Sequence, residues 1–153
     1  DKTPEAGLKG MSAARSIGLI SYRNYQAYNI TQKDDNNDQL KDFKAGSYQR
    51  YQGQKLVQRF NAYSYYRLSQ AMDNHNIMRG RSDNPKEILK EIKTRTLVLG
   101  IDSDYLFPIQ EQQLLAKCIP NCQFETIDSN YGHDGFLKKK KKISTILDGF
   151  LGI

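Results

Sequence analysis

The chain has 153 residues, of which 38% are hydrophobic and 26% are charged, and its formal net charge is +6. This length allows one domain with a core of its own. No apolar run reaches the roughly 18 residues that a membrane-spanning helix needs, and the first residues, DKTPEAG, lack the pattern of a signal peptide. The composition therefore predicts a soluble protein, and we expect it in the cytoplasm and not in a membrane.

The positive charge comes from one run, Lys138–Lys142. These five lysines are part of 23 basic residues, and the other basic residues nearly balance the 17 acidic ones. Such a run is most often the solvated flank of a helix. Because no aromatic residues alternate with basic residues around it, as they do in nucleic-acid grooves, we expect no nucleic-acid partner.

The two cysteines, Cys118 and Cys122, lie in the segment CIPNC. A zinc site needs about four ligands, and no histidine or further cysteine lies near them in sequence. The pair therefore predicts reduced structural thiols and no metal site.

The first part of the chain, residues 1–84, is rich in glutamine, tyrosine and arginine and has helical periodicity, which predicts a helical subdomain. Residues 7–28 are predicted to form a helix, because they have one stripe of mostly small and apolar side chains, formed by Leu8, Met11, Ala14, Ile17 or Gly18, and Ser21 or Tyr22. A solvated loop follows at residues 33–38, and helices are predicted at residues 47–60 and 61–76, the second one capped by Asn61.

The second part, residues 85–153, alternates strands and helices. The predicted elements are, in order, a helix (84–93), a strand (94–104), a helix (108–119), a strand (122–129), a glycine-flanked corner (130–136) and a helix (141–153). This order predicts parallel strands joined by a right-handed crossover. Because two strands cannot form a parallel sheet that is covered on both faces, the chain is expected to be the C-terminal part of a larger α/β protein.

Two residues at the ends of the predicted strands suggest catalysis. Asp104 ends the first strand and His133 lies on the corner after the second, so both are expected at the same edge of the sheet, where catalytic groups collect. A carboxylate there would hold Nδ1 of the imidazole and stabilise the imidazolium that forms when Nε2 accepts a proton. The alternative is a histidine that only closes a loop.

A nucleophile is harder to find in this chain. The segment GMSAA, which contains Ser12, imitates the G-x-S-x-G turn of α/β hydrolases, but that turn requires a strand directly before it. The residues before Ser12 are polar and include a proline. Ser12 is therefore not expected to be the nucleophile.

Several segments carry a resemblance to a known family: GLKGMSAARSIGLISYR, SYQRYQGQKLVQRFNAYSYYRLSQAMDNHN, TLVLGIDSDYLFP and YGHDGFL. Together they resemble the C-terminal half of bacterial homoserine O-acetyltransferase, an enzyme of methionine biosynthesis with the α/β-hydrolase fold. The resemblance implies a C-terminal fragment of that fold, with a helical lid subdomain inserted at residues 1–84 and the C-terminal part of the core at residues 85–153. One departure is Met78, where the family usually has glycine.

The resemblance implies roles for individual residues: Asp104 as the carboxylate of the triad, His133 as its base, Arg15 and Tyr22 as homoserine-binding residues, and Asp134 as the acid that meets the substrate amine. Asp102 competes with Asp104 and is expected to be a structural hydrogen-bonding residue. Arg15 and Tyr22 are seven residues apart and would share a helical face, where a guanidinium can bind a carboxylate with two hydrogen bonds.

The function that the resemblance implies is transfer of an acetyl group from acetyl-CoA to the hydroxyl of L-homoserine, by a ping-pong mechanism with a serine upstream of this chain. The fragment alone is expected to be inactive and to need no permanently bound cofactor. A homodimer through the helical lid is also implied. The alternatives are an esterase or other hydrolase of the same fold, and a non-catalytic interaction module that binds through Lys138–Lys142.

Overall fold

The structure is a computed structural model that describes Thr3 and residues 5–152. The two predicted parts also include Asp1, Lys2, Pro4 and Ile153, which are not among the described residues. The elements are, in chain order, α1 (Leu8–Tyr22), α2 (Tyr25–Gln32), α3 (Lys44–Val57), α4 (Ala62–Asp73), α5 (Pro85–Lys90), β1 (Thr96–Ile101), α6 (Ile109–Cys118), β2 (Cys122–Ile127), a 3₁₀ turn (Gly132–Asp134), α7 (Gly135–Lys138) and α8 (Lys140–Leu151).

The chain divides into two compact units. Unit 1 consists of the residues up to Ser21 together with Tyr28–His75, and unit 2 consists of Tyr22–Ala27 together with the chain from Asn76 onward. The short segment Tyr22–Ala27, here called the elbow, therefore packs with unit 2, although the helices on either side of it extend into unit 1. The division predicted at residue 84 remains a prediction.

Unit 1 is helical. α1 and α3 approach closely where α3 has a glycine: a Cβ on Gly53 would lie 2.5 Å from Ser12 Oγ, and Ser16 Oγ donates a hydrogen bond of 2.9 Å to the carbonyl of Gln49. Ser12 thus lies within α1, on a helix-packing face. Asn61 begins α4 as predicted, because its Oδ1 accepts a hydrogen bond of 2.7 Å from the Ser64 amide.

The single helix predicted over residues 7–28 is wrong, because the chain breaks between α1 and α2. Asn24 causes the break: its side chain is buried, and its Oδ1 accepts a hydrogen bond of 2.9 Å from the Gln26 amide. An asparagine that bonds to the backbone two residues ahead favours a turn over a continuing helix.

The predicted stripe on α1 is buried only in part: Gly18, the alternative to Ile17, is partly buried, and Ala14 is exposed. Ile17 is 70% exposed, whereas Met11 and Leu19 are buried. These two residues are eight apart, and Leu19 is not one of the residues of the predicted stripe.

Unit 2 contains a two-stranded parallel sheet, which confirms the predicted order of strands. β1 and β2 pair in register from Thr96 with Cys122 to Ile101 with Ile127. α5 begins at Pro85 after the Asn84 cap and packs on α6. The apolar cluster beneath them contains Leu89, Cys118 and Ile119, with Ile92, Leu115 and Cys122 at its edge.

Both cysteines are free thiols, and Cys118 is buried. Their place in this cluster agrees with the predicted structural role. None of the helices that the structure describes combines the length and the apolar character of a membrane span.

The lysine run lies at the junction of the last two helices. Lys138 ends α7, Lys139 lies between the helices, and α8 begins at Lys140. The side chains of this run are exposed except at Lys139, which is partly buried. α8 is held near its far end by Arg95, whose guanidinium lies 4.2 Å from the centre of the Phe150 ring.

Candidate active site

The two residues at the predicted sheet edge are in contact. Nδ1 of His133 lies 2.9 Å from Oδ2 of Asp104. The pairing of β1 with β2 places the ends of both strands side by side, so the segments that carry Asp104 and His133 leave the sheet at the same edge. The Asp104 side chain is only 5% exposed and the His133 side chain is 26% exposed. The predicted contact is therefore present, while the catalytic roles remain predictions.

The second oxygen of Asp104 fixes the orientation of its carboxylate. Oδ1 accepts hydrogen bonds from the amides of Leu106 at 2.8 Å and Phe107 at 3.0 Å. With Oδ1 held by these two donors, Oδ2 is directed at the imidazole. A carboxylate held in this way keeps the proton of the neutral ring on Nδ1 and leaves Nε2 to act as the base.

Asp102 has a different environment from Asp104. Its side chain is exposed, and its Oδ1 accepts a hydrogen bond of 3.0 Å from the Ser129 amide. The Asp102 amide donates to the carbonyl of Ile127 at 3.2 Å. Asp102 thus joins the ends of the two strands, and the structure places Asp104, not Asp102, against the ring.

Two serines that were not predicted as site residues hold the corner at residues 130–136, here called the histidine corner. Ser103 Oγ donates to the carbonyl of Ser129 and accepts from the Gly132 amide at 3.0 Å. Ser129 is buried, and its own Oγ accepts from the Tyr131 amide at 3.2 Å. These bonds tie the backbone before His133 to the end of β1. Their partners are 26 and 29 residues apart in sequence, so no local pattern could have predicted them.

Aromatic rings surround the imidazole. The centres of the Tyr22, Phe107 and Phe136 rings lie 5.7, 5.1 and 5.6 Å from that of His133. Tyr22 was predicted to bind substrate, and here its ring packs against the imidazole of His133; the two phenylalanines were not predicted. Rings at these distances restrict rotation of the imidazole and cover part of its surface. In the part of the chain that the structure describes, no hydrogen bond to Nε2 is present.

The corner is held against the elbow by a glycine. Gly132 has a φ of +60°, and a Cβ on it would lie 2.8 Å from the Asn24 amide nitrogen and 2.9 Å from the Tyr22 carbonyl oxygen. Both neighbours are backbone atoms, which cannot rotate away as a flexible side chain does. Only glycine therefore fits at this position.

We expect Gly132→Ala to lower the free energy of unfolding of the chain by about 2–4 kcal/mol, because it adds a left-handed backbone conformation to a backbone clash. Two other glycines separate the cost of the left-handed conformation from the cost of the clash. Gly80 has a φ of +71° with open space around its Cβ, and Gly149 in α8 has open space and an ordinary φ. Denaturant unfolding should show a loss of about 1 kcal/mol for Gly80→Ala and no loss for Gly149→Ala. Equal losses at Gly132 and Gly80 would contradict the close approach.

The remaining predicted site residues are placed as follows. Asp134 follows His133 directly, and its Oδ2 lies 2.6 Å from Nε of Arg23 in the elbow. Arg15 lies on α1 in unit 1 and is partly buried. The geometry of unit 2 therefore bears on Asp104, His133 and Asp134, whereas the role of Arg15 rests on the resemblance alone.

A cavity of about 440 Å³ opens beside the Asp104–His133 pair. Its lining is mostly apolar and comes from β1, β2 and the helices around them: Leu99, Ile101, Phe107, Gln112, Leu115, Ile127, Phe136 and Ile143, in addition to the pair itself. His133, with its Nδ1 against Asp104, thus lies at the wall of a mostly apolar cavity. The described residues include no group of three or more metal-ligating side chains.

The chain is similar in sequence to homoserine O-acetyltransferases. It is 44% identical over 147 residues to the protein of that name from Cyclobacterium marinum, an alignment that covers 96% of this chain and 41% of the relative. It is 46% identical over 109 residues to the homoserine O-acetyltransferase of Schizosaccharomyces pombe, which covers 71% of this chain and 22% of the relative. The chain thus spans about two fifths of the length of the first of these relatives. No protein-family model matches it.

Solved structures agree with this similarity. The crystal structure of homoserine O-acetyltransferase from Staphylococcus aureus superposes with a TM-score of 0.76 at 30% identity, and the match covers 97% of this chain and 42% of that one. Esterase E22 superposes with a TM-score of 0.78 at 17% identity, covering 96% of this chain and 43% of that one, and this shows the fold alone. The chain has the α/β-hydrolase fold of the corresponding part of these proteins, as predicted.

Proposed function

We propose that this chain, which belongs to the homoserine O-acetyltransferase family and corresponds to its C-terminal part, supplies the base, the triad carboxylate and the acceptor site of an acyltransferase. The observation that carries the proposal is the 2.9 Å contact between His133 Nδ1 and Asp104 Oδ2 at the edge of the parallel sheet. We use the term complete enzyme for this chain preceded by the N-terminal part that the curated relatives have.

In the first half-reaction, His133 would take the proton of a serine hydroxyl from that N-terminal part at Nε2. The serine oxygen attacks the thioester carbonyl of acetyl-CoA, the carbon–sulfur bond breaks, and His133 returns the proton to the leaving thiolate. Asp104 holds the imidazole in the tautomer that can accept this proton and stabilises the imidazolium. The products are an acetyl-enzyme and the free thiol of CoA.

In the second half-reaction, His133 would take the proton of the side-chain hydroxyl of L-homoserine. The hydroxyl oxygen attacks the acetyl-enzyme, and the serine oxygen leaves with the proton that His133 returns. Arg15 is proposed to bind the carboxylate of homoserine, Asp134 its ammonium, and Tyr22 to add a hydrogen bond. One base serving both steps gives ping-pong kinetics.

The helical part, residues 1–84, is proposed to be a lid over this site and the surface of a homodimer. α1 and α4 of unit 1 expose large apolar side chains that a partner subunit would cover: Ile17, Ile20, Leu68 and Met72. The free thiols Cys118 and Cys122 fit a reducing compartment, which supports the proposed place in the cytoplasm.

The proposed function is tested by acetyl transfer to homoserine in the complete enzyme and in its Arg15→Ala variant. Loss of a charge-assisted bond to the substrate carboxylate is expected to cost about 2 kcal/mol or more, so kcat/KM for homoserine should fall about 30-fold or more. Hydrolysis of p-nitrophenyl acetate, whose acceptor is water, should fall much less.

Arg59→Ala is the matched control, because Arg59 lies just after α3 in unit 1 and is exposed. An enzyme that hydrolyses esters and transfers nothing to homoserine would be a hydrolase of the same fold. A protein that acylates nothing, and whose binding to another macromolecule disappears when Lys138–Lys142 are neutralised, would be an interaction module. Either result would overturn the proposal.

A further inference from the structure

The elbow and the histidine corner are joined by an ion pair as well as by backbone contact. Nε of Arg23 lies 2.6 Å from Oδ2 of Asp134, and the two side chains are 17% and 21% exposed. The residue directly before this histidine, Gly132, packs on the backbone of Tyr22, Arg23 and Asn24. The packing of Gly132 on the elbow thus positions both Arg23 and His133. The ion-pair partner of Arg23 is Asp134, the residue that follows His133.

We propose that Arg23 is a positioning residue for the acceptor: it holds Asp134 so that this carboxylate can bind the ammonium of an amino-acid substrate. This inference rests on the proposed function and extends it to a residue that the resemblance did not single out. The pair occupies Oδ2 of Asp134, and a carboxylate has a second oxygen and further lone pairs with which to accept. The guanidinium would fix the rotamer of Asp134 before the substrate arrives, so that less conformational entropy is lost on binding.

The pair also balances charge next to the base. The carboxylate of Asp104 is bonded to the ring of His133, and Asp134 is the next residue in the sequence, with its own carboxylate against Arg23. Arg23 compensates the charge of Asp134, and the pair is only about one-fifth exposed, so solvent screens it less than it would a surface pair.

The rival interpretation is that Arg23 only pins the elbow to the corner. In that case its loss would disturb His133 and every acceptor alike. The two interpretations separate if two acceptors are compared that differ only in the ammonium. L-homoserine and 4-hydroxybutyrate share the carboxylate and the hydroxyl, but 4-hydroxybutyrate has no amine.

The experiment measures kcat/KM for both acceptors, with acetyl-CoA as donor, in the complete enzyme and in Arg23→Met and Arg23→Lys. We expect Arg23→Met to lower the preference for homoserine over 4-hydroxybutyrate about tenfold or more, through a higher KM for homoserine. Arg23→Lys should recover part of that preference, because it keeps the charge and loses the planar geometry.

Two further variants complete the design. In an Asp134→Asn background, Arg23→Met should change the preference by less than about twofold, because the group that Arg23 positions is already lost. Arg67→Met is the matched control, since the exposed Arg67 on α4 bonds to side chains of its own helix, at Tyr63 and Gln70.

The outcomes are distinct. Equal losses with both acceptors, or an unchanged preference, would overturn the positioning role and leave the acyltransferase in place. Absence of any transfer to homoserine in the unsubstituted enzyme would overturn the proposed function and this inference together.

Discussion

Replacing His133 with glutamine in the complete enzyme is expected to lower kcat for acetyl transfer about 10⁴-fold or more. Glutamine can still reach Asp104 with its amide, so the corner should keep its shape, but an amide cannot accept the proton of a serine or of an acceptor hydroxyl. Because the same base would serve both half-reactions, acyl-enzyme formation and acyl transfer should both fail. Rapid-quench measurement of the burst of free CoA thiol and steady-state transfer to homoserine would report the two steps separately.

The chain provides its own control for this prediction. His75 is the only other histidine in the sequence, and it is exposed, just after α4. His75→Gln should leave both half-reactions within about twofold of the unsubstituted enzyme. If His133→Gln retained a normal burst of CoA, the base of the first half-reaction would have to be another group, and the proposed mechanism would fail at its first step.

The order of elements in unit 2 could be predicted from the sequence because each boundary has a local chemical cause. Pro85 and the Asn84 cap begin α5, an apolar run forms β1, and Gly132 and Gly135 permit the corner. The parallel pairing followed from the β-α-β order alone. The contact of Asp104 with His133 then required only that both strands end at one edge, so it was predictable without any knowledge of side-chain packing.

The features that the sequence did not predict depend on contacts between residues far apart in the chain. Asn24 precedes α2 and accepts a local bond from the Gln26 amide, but its backbone also lies against Gly132, more than a hundred residues later. Ser103 and Ser129 form bonds only because two strand ends lie side by side. Phe107 and Phe136 would be assigned to an apolar core by pattern alone, and the structure instead places them against the imidazole.

The elbow shows why the site was only partly predictable. Residues 7–28 have enough periodicity to predict one helix, and in one helix Tyr22 and Arg23 would point to different faces. In the structure Tyr22 is the last residue of α1 and Arg23 lies between α1 and α2. The Tyr22 ring contacts His133, and Arg23 contacts Asp134. Contact with the histidine corner therefore overrides the modest preference of residues 7–28 for one continuous helix.

Asp104→Asn is expected to lower kcat in the complete enzyme about 10⁴-fold, a loss comparable to removal of the base. Asparagine at this position can still accept from the amides of Leu106 and Phe107 with its oxygen, so the side chain should keep its orientation. Its NH₂ group would then face Nδ1 of His133 and donate to it, which moves the proton of the neutral ring to Nε2. In that tautomer Nε2 cannot act as a base.

Asp102→Asn tests whether the neighbouring carboxylate is the true partner. The Asp102 side chain accepts one bond, from the Ser129 amide, and an asparagine oxygen can accept the same bond. We therefore expect a loss of less than about tenfold in kcat and a small change in stability. The reverse result, with Asp102→Asn nearly inactive and Asp104→Asn nearly normal, would assign the triad to the exposed carboxylate and contradict the geometry at the imidazole. Measuring both variants at the same concentrations of acetyl-CoA and homoserine decides between the two carboxylates, because only the residue that sets the tautomer of His133 affects both half-reactions.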